Sequence, residues 1–255
     1  MNLIDTHCHL YLEDFDADLP AVMERAHNEG VEKFYLPAID STVINRLLEV
    51  ETRFPGKCLA MMGLHPCSVK ENYEDELRLV EEWLARRKFS AVGEIGLDFY
   101  WDKTFVDQQY DAFRRQLLLA RQYSLPVVLH SRDSLDESIE LVKSMHDGSL
   151  SGIFHCFGGT LEQAQRITDM GFYLGIGGII TYKNAGLGPV LEQLPLDHIV
   201  LETDAPYLTP VPFRGKRNES SYLRYIIQKL ADLKQLPVEQ VAEITTRNAQ
   251  KIFGA

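Results

Sequence analysis

The sequence alternates short apolar runs with longer segments of helical spacing, and this alternation restricts the fold more than any other feature. Eight runs rich in Val, Ile, Leu and Phe predict strands at residues 3–7, 33–38, 58–64, 91–95, 126–130, 152–155, 172–176 and 198–202. Segments with an apolar residue at every third or fourth position predict helices at 19–29, 43–53, 74–87, 106–123, 135–145, 161–170, 187–193, 221–233 and 238–253.

Strand–helix units repeated in this way over 255 residues are typical of a (β/α)8 barrel. The continuous apolar runs fit parallel strands that are covered on both faces. A doubly wound open sheet is the alternative arrangement of the same units. Because no Gly-, Ser- or Pro-rich linker divides the chain, we predict a single α/β domain over residues 1–255, a TIM barrel.

Composition and charge exclude several classes of protein. The hydrophobic fraction of 45% is that of a globular chain. A formal net charge of −11 disfavours a protein that coats DNA or anionic lipid, but local cations still allow an enzyme that acts on phosphate esters. No apolar run approaches the roughly 20 residues that span a bilayer. With an acidic N-terminal stretch and four scattered cysteines, these features predict a cytoplasmic protein that contacts no membrane.

Side chains of the kind that bind metals gather where the predicted strands end. In a barrel these ends form the mouth of the active site. One histidine at a strand end is usually a packed or hydrogen-bonded residue, but five at one rim indicate a site. Imidazole and carboxylate together are ligands for Zn, Mn, Fe or Mg, and the mixture favours transition metals. The acids lie in the segments 93–98 and 202–206, and the histidines are His7, His9, His65, His130 and His155.

Strand alternation separates the neighbouring cysteines from these histidines. His7 and His9 share one face, whereas Cys8 points to the other, and the same reasoning turns Cys156 away from the histidine before it. We therefore expect no zinc–thiolate site and two small, buried, apolar cysteines. Asp5 has the parity of His7, one layer deeper. It is either an acceptor that orients a histidine N–H or simply an acid at the start of the strand.

Three ordered blocks carry a family resemblance. Residues 93–98 read Gly-Glu-Ile-Gly-Leu-Asp, residues 155–159 read His-Cys-Phe-Gly-Gly, and residues 201–208 read Leu-Glu-Thr-Asp-Ala-Pro-Tyr-Leu. With Ile-Asp-Thr-His-Cys-His at 4–9, they make the sequence resemble, nearly end to end, the TatD family of metal-dependent deoxyribonucleases in the amidohydrolase-like barrel superfamily. Residues 217–220 read Arg-Asn-Glu-Ser where members commonly read Arg-Asn-Glu-Pro, which we expect to loosen a turn and leave the ligands untouched.

The resemblance implies a centre of two divalent cations per subunit, of Mg, Mn, Zn or Co. Such a pair stabilises the attacking and leaving oxygens of a phosphoryl displacement and lowers the pKa of a bound water. Glu94 and Asp204 are then the catalytic carboxylates, and Asp204 accepts a proton and returns it to the leaving group. Capping of the following turn is the alternative role for Asp204. The implied ligands are His7, His9 and Asp204 for the first cation, His130 and His155 for the second, and Glu94 as the bridge.

Further residues near the rim are candidates for substrate binding. The predicted contacts are His65, Arg132, Lys183, Arg214, Lys216 and Arg217. His65 either bonds a phosphate or a metal-bound water, or only packs. Lys183 lies on the loop after strand seven, a region that often binds phosphate in barrels. The basic run 214–217 is either a phosphate contact or a solvated surface. We expect Tyr100 and Trp101 to pack in the core, with base stacking as the alternative.

These features predict a divalent-metal-dependent hydrolase of phosphodiester bonds. The resemblance implies a deoxyribonuclease of the 3′–5′ exonuclease type, whose partner is a nucleic acid substrate, DNA in preference to RNA, with no obligate protein partner. Hydrolysis of a cyclic amide, ester or lactone is the alternative, because the same metal pair can attack a carbonyl. A barrel that is kept for protein contacts, with metal only stabilising it, is a third possibility.

Overall fold

Buried strands and amphipathic helices alternate along residues 1–254, which are the residues described by the structure, a computed structural model. The strands β1 to β8 span Leu3–Asp5, Val31–Leu36, Cys58–Ala60, Val92–Asp98, Val127–Arg132, Gly152–Phe154, Tyr173–Ile176 and Ile199–Leu201. The helices α1 to α9 span Leu19–Asn28, Ile44–Arg53, Tyr73–Arg86, Val106–Tyr123, Leu135–Met145, Leu161–Asp169, Leu187–Gln193, Leu223–Lys234 and Val238–Phe253. Every predicted strand and helix is present. The helices α4, α5, α7 and α9 have the predicted bounds, and the ends of the other elements are shifted.

The strands pair in parallel, in the orders β1-β2-β3 and β4-β5-β6-β7-β8. A few backbone hydrogen bonds, rather than continuous ladders, join the two groups. At one junction the Gly93 N–H donates to the Met62 carbonyl at 3.0 Å, and at the other the Thr6 N–H donates to the Leu201 carbonyl at 3.1 Å. The second bond places the last strand beside the first, which does not happen in an open doubly wound sheet. The predicted α/β barrel is therefore confirmed.

Several strands end earlier than the sequence predicts. The first ends at Asp5, the third at Ala60 and the sixth at Phe154. Beyond these points the backbone bonds to loops instead of continuing a ladder, as when the His9 N–H donates to the Ala205 carbonyl at 2.7 Å. Most of the metal-type side chains therefore lie in the loops at the mouth of the barrel, just past the strands that position them, whereas Glu94 and His130 lie within β4 and β5.

The helices cover the barrel with apolar faces. The core is continuous from the strands to the inner faces of the helices, and the predicted capping box is present at the start of α6, where the Gln163 N–H donates to the Thr160 hydroxyl at 3.2 Å. Within residues 1–254, none of the helices is both long and apolar enough to cross a membrane.

Two adjacent leucines on α4 test this packing. Leu117 is fully buried, whereas Leu118 is 50% exposed. We expect Leu117→Ala to lower the free energy of unfolding by about 2 to 5 kcal/mol, because it leaves a cavity in the core. The matched change Leu118→Ala should stay within about 0.5 kcal/mol of the unmodified protein. Urea denaturation of both variants measures the difference, and equal losses would contradict the assignment of the buried face.

Candidate metal centre

The carboxylate of Glu94 lies at the centre of the barrel mouth, between two groups of histidines. Its Oε1 atom is 2.9 Å from His130 Nδ1 and 2.8 Å from His155 Nε2. Its Oε2 atom is 3.2 Å from His7 Nε2 and 3.8 Å from His9 Nε2. The two oxygens of one carboxylate thus face different pairs of imidazoles, which is the placement that the predicted bridging role requires.

Glu94 is buried within β4, so its charge depends on these neighbours. Burial raises the pKa of the carboxyl, but the imidazoles of His155 and His7 outweigh it and hold the pKa well below its ordinary value. The carboxylates of Glu94 and Glu202 in turn raise the pKa of His155 against the opposing effect of burial. The cluster therefore attracts positive charge, which is the electrostatic environment that a divalent cation needs.

Asp204 lies beside His7 and His9, where its predicted place among the ligands of the first cation requires it. Its Oδ1 atom is 3.3 Å from His9 Nε2 and 3.6 Å from His7 Nε2. The residue has φ +56°, a left-handed conformation that aspartate tolerates better than most residues. Its backbone N–H donates to the His7 carbonyl at 2.9 Å, so the junction between the last and first strands positions this carboxylate.

Hydrogen bonds on the outer nitrogens set which histidine atoms are free to bind a cation. The Tyr11 hydroxyl donates to the Pro37 carbonyl at 2.6 Å, so its oxygen accepts from His9 Nδ1 at 2.8 Å. His130 Nε2 lies 2.8 Å from Asp98 Oδ2 and donates to it. The remaining nitrogens, Nε2 of His9 and Nδ1 of His130, then carry lone pairs that face Glu94.

The carboxylate of Glu202 lies behind the ring of His155. Its Oε1 atom is 3.4 Å from His155 Nδ1 and accepts the Cys156 N–H at 2.5 Å. The carboxylate is fully buried, and a Cβ atom on Gly175 would lie 2.1 Å from its Oε2 atom. Only a glycine at that position leaves room for this acid beneath the histidine. The Nε2 atom of His155 faces Glu94 on the opposite side of the ring.

His65 approaches the same carboxylate with the opposite hydrogen-bonding character. Its Nδ1 atom accepts the Cys67 N–H at 3.0 Å, so the neutral ring carries its proton on Nε2. That Nε2 atom lies 3.4 Å from Glu94 Oε1. His65 is therefore a hydrogen-bond donor at the centre. This fits its predicted place among the substrate contacts better than a place among the metal ligands.

The donor set fits a divalent metal. Ligand atoms within 4.8 Å of one another form three groups, namely His7, His155 and Asp204; His7, His9 and Glu94; and His65, Glu94 and His130. Burial lowers the pKa of His7 and so favours the neutral imidazole that binds metals. Imidazole nitrogen with carboxylate oxygen suits Zn, Mn or Fe more than Ca. His7, His9, Glu94, His130, His155 and Asp204 would hold the metal.

Of the two cysteines beside the predicted ligands, one lies where the sequence predicts and the other does not. Cys8 points into the core as predicted, with its thiol 3.8 Å from the Tyr35 carbonyl. The prediction for Cys156 was wrong, because β6 ends at Phe154 and alternation does not extend to a residue that lines the mouth cavity. Burial raises the pKa of the Cys156 thiol to about 12, so it remains protonated.

Asp5 contacts no histidine ring. It accepts the backbone N–H and the hydroxyl of Thr203 at 2.9 and 2.6 Å, and burial raises its pKa to about 6. The structure therefore assigns it to neither of the two roles considered from the sequence. It holds the segment that leads to Asp204.

The predicted substrate contacts lie at different distances from the centre. Arg132 lines the mouth cavity together with Glu94 and His130. Lys183, Arg214 and Lys216 are exposed on loops beyond the residues that line this cavity. The Arg214 guanidinium lies 4.0 Å from the ring centre of Tyr182, which leaves its charge facing solvent.

Arg217 is separated from the other basic residues by its contacts. Its guanidinium donates twice to the Asp18 carboxylate, at 2.8 Å in each case, and lies 4.7 Å from the ring centre of Phe15. The side chain fastens the loop after β8 to the segment before α1. The predicted phosphate contact at Arg217 would require this ion pair to open.

Asp98 and Glu202, which lie against His130 and His155, were not among the predicted site residues. A usable signal was present, because Asp98 lies four residues after Glu94 on one strand and Glu202 lies two residues before Asp204. Even spacing along β4 gives Asp98 the parity of Glu94. Glu202 and Asp204 lie past the end of β8 at Leu201, so for Glu202 the signal is only its nearness in sequence to Asp204. Their partners, His130 and His155, come from other strands, and only the tertiary structure pairs them.

The bridging role of Glu94 leads to a test of metal content. We expect Glu94→Ala to reduce bound metal in both groups, because its oxygens face both. The double change of His7 and His9 to Ala should instead reduce metal mainly in the first group. Elemental analysis after dialysis measures the stoichiometry, with Glu162→Gln on the exposed face of α6 as the control. Equal losses in the two site variants would contradict the bridge.

Glu202 should act on metal affinity through His155. Replacing it by Gln keeps the volume but removes the charge that holds the imidazole, so we expect the affinity of the second group to fall about 10- to 100-fold. Competition with a chromogenic chelator measures this loss, and thermal unfolding checks that the variant is folded. An unchanged affinity would show that Glu202 only supports the loop.

Comparisons with known proteins agree with this centre. The protein family described as TatD related DNase matches residues 4–254. The uncharacterized metal-dependent hydrolase YabD of Bacillus subtilis is 40% identical over 252 residues, which cover 98% of this chain and 98% of that protein.

Two solved structures resemble the chain to different degrees. The TatD homologue YjjV of Escherichia coli K12 has a TM-score of 0.93 at 34% identity and covers 99% of this chain and 98% of its own. The phosphotriesterase homology protein of E. coli, with a TM-score of 0.75 at 15% identity over 99% and 98% of the two chains, shares the fold. The match over residues 4–254 and these relatives show that the chain belongs to the TatD-related DNase family of metal-dependent hydrolases.

Proposed function

We propose that this protein hydrolyses phosphodiester bonds of DNA, as an exonuclease that acts from the 3′ end, with two divalent cations at the barrel mouth. The observation that carries the proposal is the division of the two Glu94 oxygens between two groups of imidazoles. The family match and the metal-dependent hydrolases among the relatives support it. We further propose the cytoplasmic location predicted from the sequence.

Asp204 is the best-placed group to move a proton. Burial raises the pKa of its carboxyl, but the neighbouring imidazoles of His9 and His7 outweigh it and keep the pKa below its ordinary value. At neutral pH the group is therefore ionised and accepts the proton of the attacking water, then returns it to the leaving oxygen. Two cations, when bound, would stabilise charge on both oxygens.

The cavity at the mouth has the size and charge pattern for a nucleotide unit. Its volume is about 780 Å³, and its lining includes Glu94, His65 and Arg132. His65 offers an N–H and Arg132 a guanidinium, both suited to the oxygens of a phosphate. A neutral cyclic amide, ester or lactone would leave the arginine charge without a counterpart, so the phosphodiester is the better match.

Reconstitution tests the activity. Metal-depleted protein is loaded separately with Mg, Mn, Co and Zn and given single-stranded and duplex oligonucleotides labelled at either end, beside a panel of amides, esters and lactones. We expect chelation to abolish strand cleavage, Mn, Co or Mg to restore it, and products to shorten from the 3′ end. Full cleavage by protein that elemental analysis shows to be metal-free, or turnover of the carbonyl panel alone, would overturn the proposal.

The salt dependence of cleavage tests the exposed basic loop. Each lost phosphate contact should flatten the slope of log kcat/KM against log salt by about 0.7 to 0.9. We expect this effect from the joint change of Arg214 and Lys216 to Ala, since both side chains face solvent. Arg217→Ala is the matched control and should instead lower the melting temperature, because it breaks the pair with Asp18. An unchanged slope in the double variant would make the loop a solvated surface.

A further inference from the structure

Two aromatic side chains expected in the core are instead exposed at the mouth. Trp101 is 68% exposed and Tyr100 is 51% exposed, at the end of the segment that carries Glu94. The core-packing expectation for this pair was therefore wrong. We call Tyr100, Trp101 and Arg132 the aromatic wall, because the Arg132 guanidinium lies 3.8 Å from the ring centre of Tyr100 and 5.2 Å from that of Trp101.

The aromatic wall is attached to the metal centre through Asp98. One carboxylate oxygen of Asp98 accepts the backbone N–H groups of Tyr100 and Trp101 at 3.0 and 3.1 Å, while the other holds His130 Nε2 at 2.8 Å. The same side chain thus orients a metal ligand and the turn that presents the rings. Exposed rings on a turn held in this way are in place before any ligand arrives, which lowers the entropic cost of binding.

Arg132 gives the aromatic wall a charge beside its apolar surface. In residues 1–254 its guanidinium lies against ring faces and not against a carboxylate. Stacking orients the planar group and leaves its N–H donors directed outward along the plane. Trp101 and Arg132 both line the cavity that contains Glu94 and His130. A ligand that spans the wall and the centre would therefore meet an aromatic face and a cation close together.

We infer that the aromatic wall is a subsite for one unpaired nucleotide, in which the indole of Trp101 stacks on the base and Arg132 binds the adjoining phosphate. The inference rests on the proposed phosphodiesterase function and deepens it. Base–aromatic stacking uses the π-face common to all bases, so the subsite selects an unstacked base rather than a sequence. A base inside a duplex has both faces covered by its neighbours and cannot enter.

Fluorescence provides a readout that is independent of activity. The chain has two tryptophans, Trp83 and Trp101, so Trp83→Phe leaves the wall indole as the only one. In the metal-loaded variant, deoxyadenosine monophosphate should quench this emission in a saturable manner, whereas 2-deoxyribose 5-phosphate should not. The matched variant Trp101→Phe retains only Trp83, which packs partly buried on α3, and should show no quenching.

Kinetics separate the two parts of the subsite. For a single strand, Trp101→Ala should raise KM roughly 5- to 150-fold, the range that corresponds to the loss of one base stack, and Trp101→Phe should largely preserve it. The same strand with an abasic nucleotide at the terminal position should be an equally poor substrate for the unmodified protein and for Trp101→Ala. Arg132→Ala should raise KM for both strands, because the phosphate contact does not need the base.

Each combination of results either supports or overturns the nucleotide subsite. Quenching by the nucleotide alone, together with an effect of Trp101→Ala that disappears on the abasic strand, supports the subsite. If the unmodified protein cleaves normal and abasic strands equally well, or if Trp101→Ala loses the same factor on both, the subsite is overturned while the nuclease proposal stands. If the unmodified protein cleaves neither strand, the proposed function fails and the subsite fails with it.

Discussion

The structure depends most on one buried charge, the carboxylate of Glu94. A charged group in a protein interior is costly unless it is paired and hydrogen-bonded, and this one lies among imidazoles from several different strand ends. Only a closed arrangement of parallel strands brings those ends to one point. The barrel and the centre therefore constrain each other, since the site requires the circular order of strands and the strands would otherwise surround an unpaired acid.

The groups behind the histidine rings determine which ring nitrogens are available to a cation. Tyr11 and Asp98 each bond the outer nitrogen of one histidine, so in the neutral rings the inner nitrogens of His9 and His130 keep their lone pairs. The Glu202 carboxylate lies 3.4 Å from the outer nitrogen of His155. His65 shows how much a single bond changes, because the Cys67 N–H reverses its donor pattern. Which ring nitrogen could bind a cation and which could donate a hydrogen bond is thus decided by backbone and side-chain partners, not by residue type.

The proposed anionic substrate would have to be attracted by the placement of individual cations and not by the net charge. A chain with a net charge of −11 repels a polyanion at long range, so attraction must come from groups close to the reaction. Arg132 is oriented by ring stacking beside the cavity. Arg217 has the same charge but forms an ion pair with Asp18. Net charge predicted neither outcome, because both follow from individual contacts.

The sequence by itself determined the repeated strand–helix order, the position of metal-type residues at strand ends and the shared face of His7 and His9. These properties follow from periodicity, which is local along the chain. The tertiary structure alone decided the tautomers of the histidines, the exposure of Tyr100 and Trp101, and the pairing of Arg217 with Asp18, which are 199 positions apart. Such contacts depend on which distant segments the closed barrel brings together, and no local pattern records them.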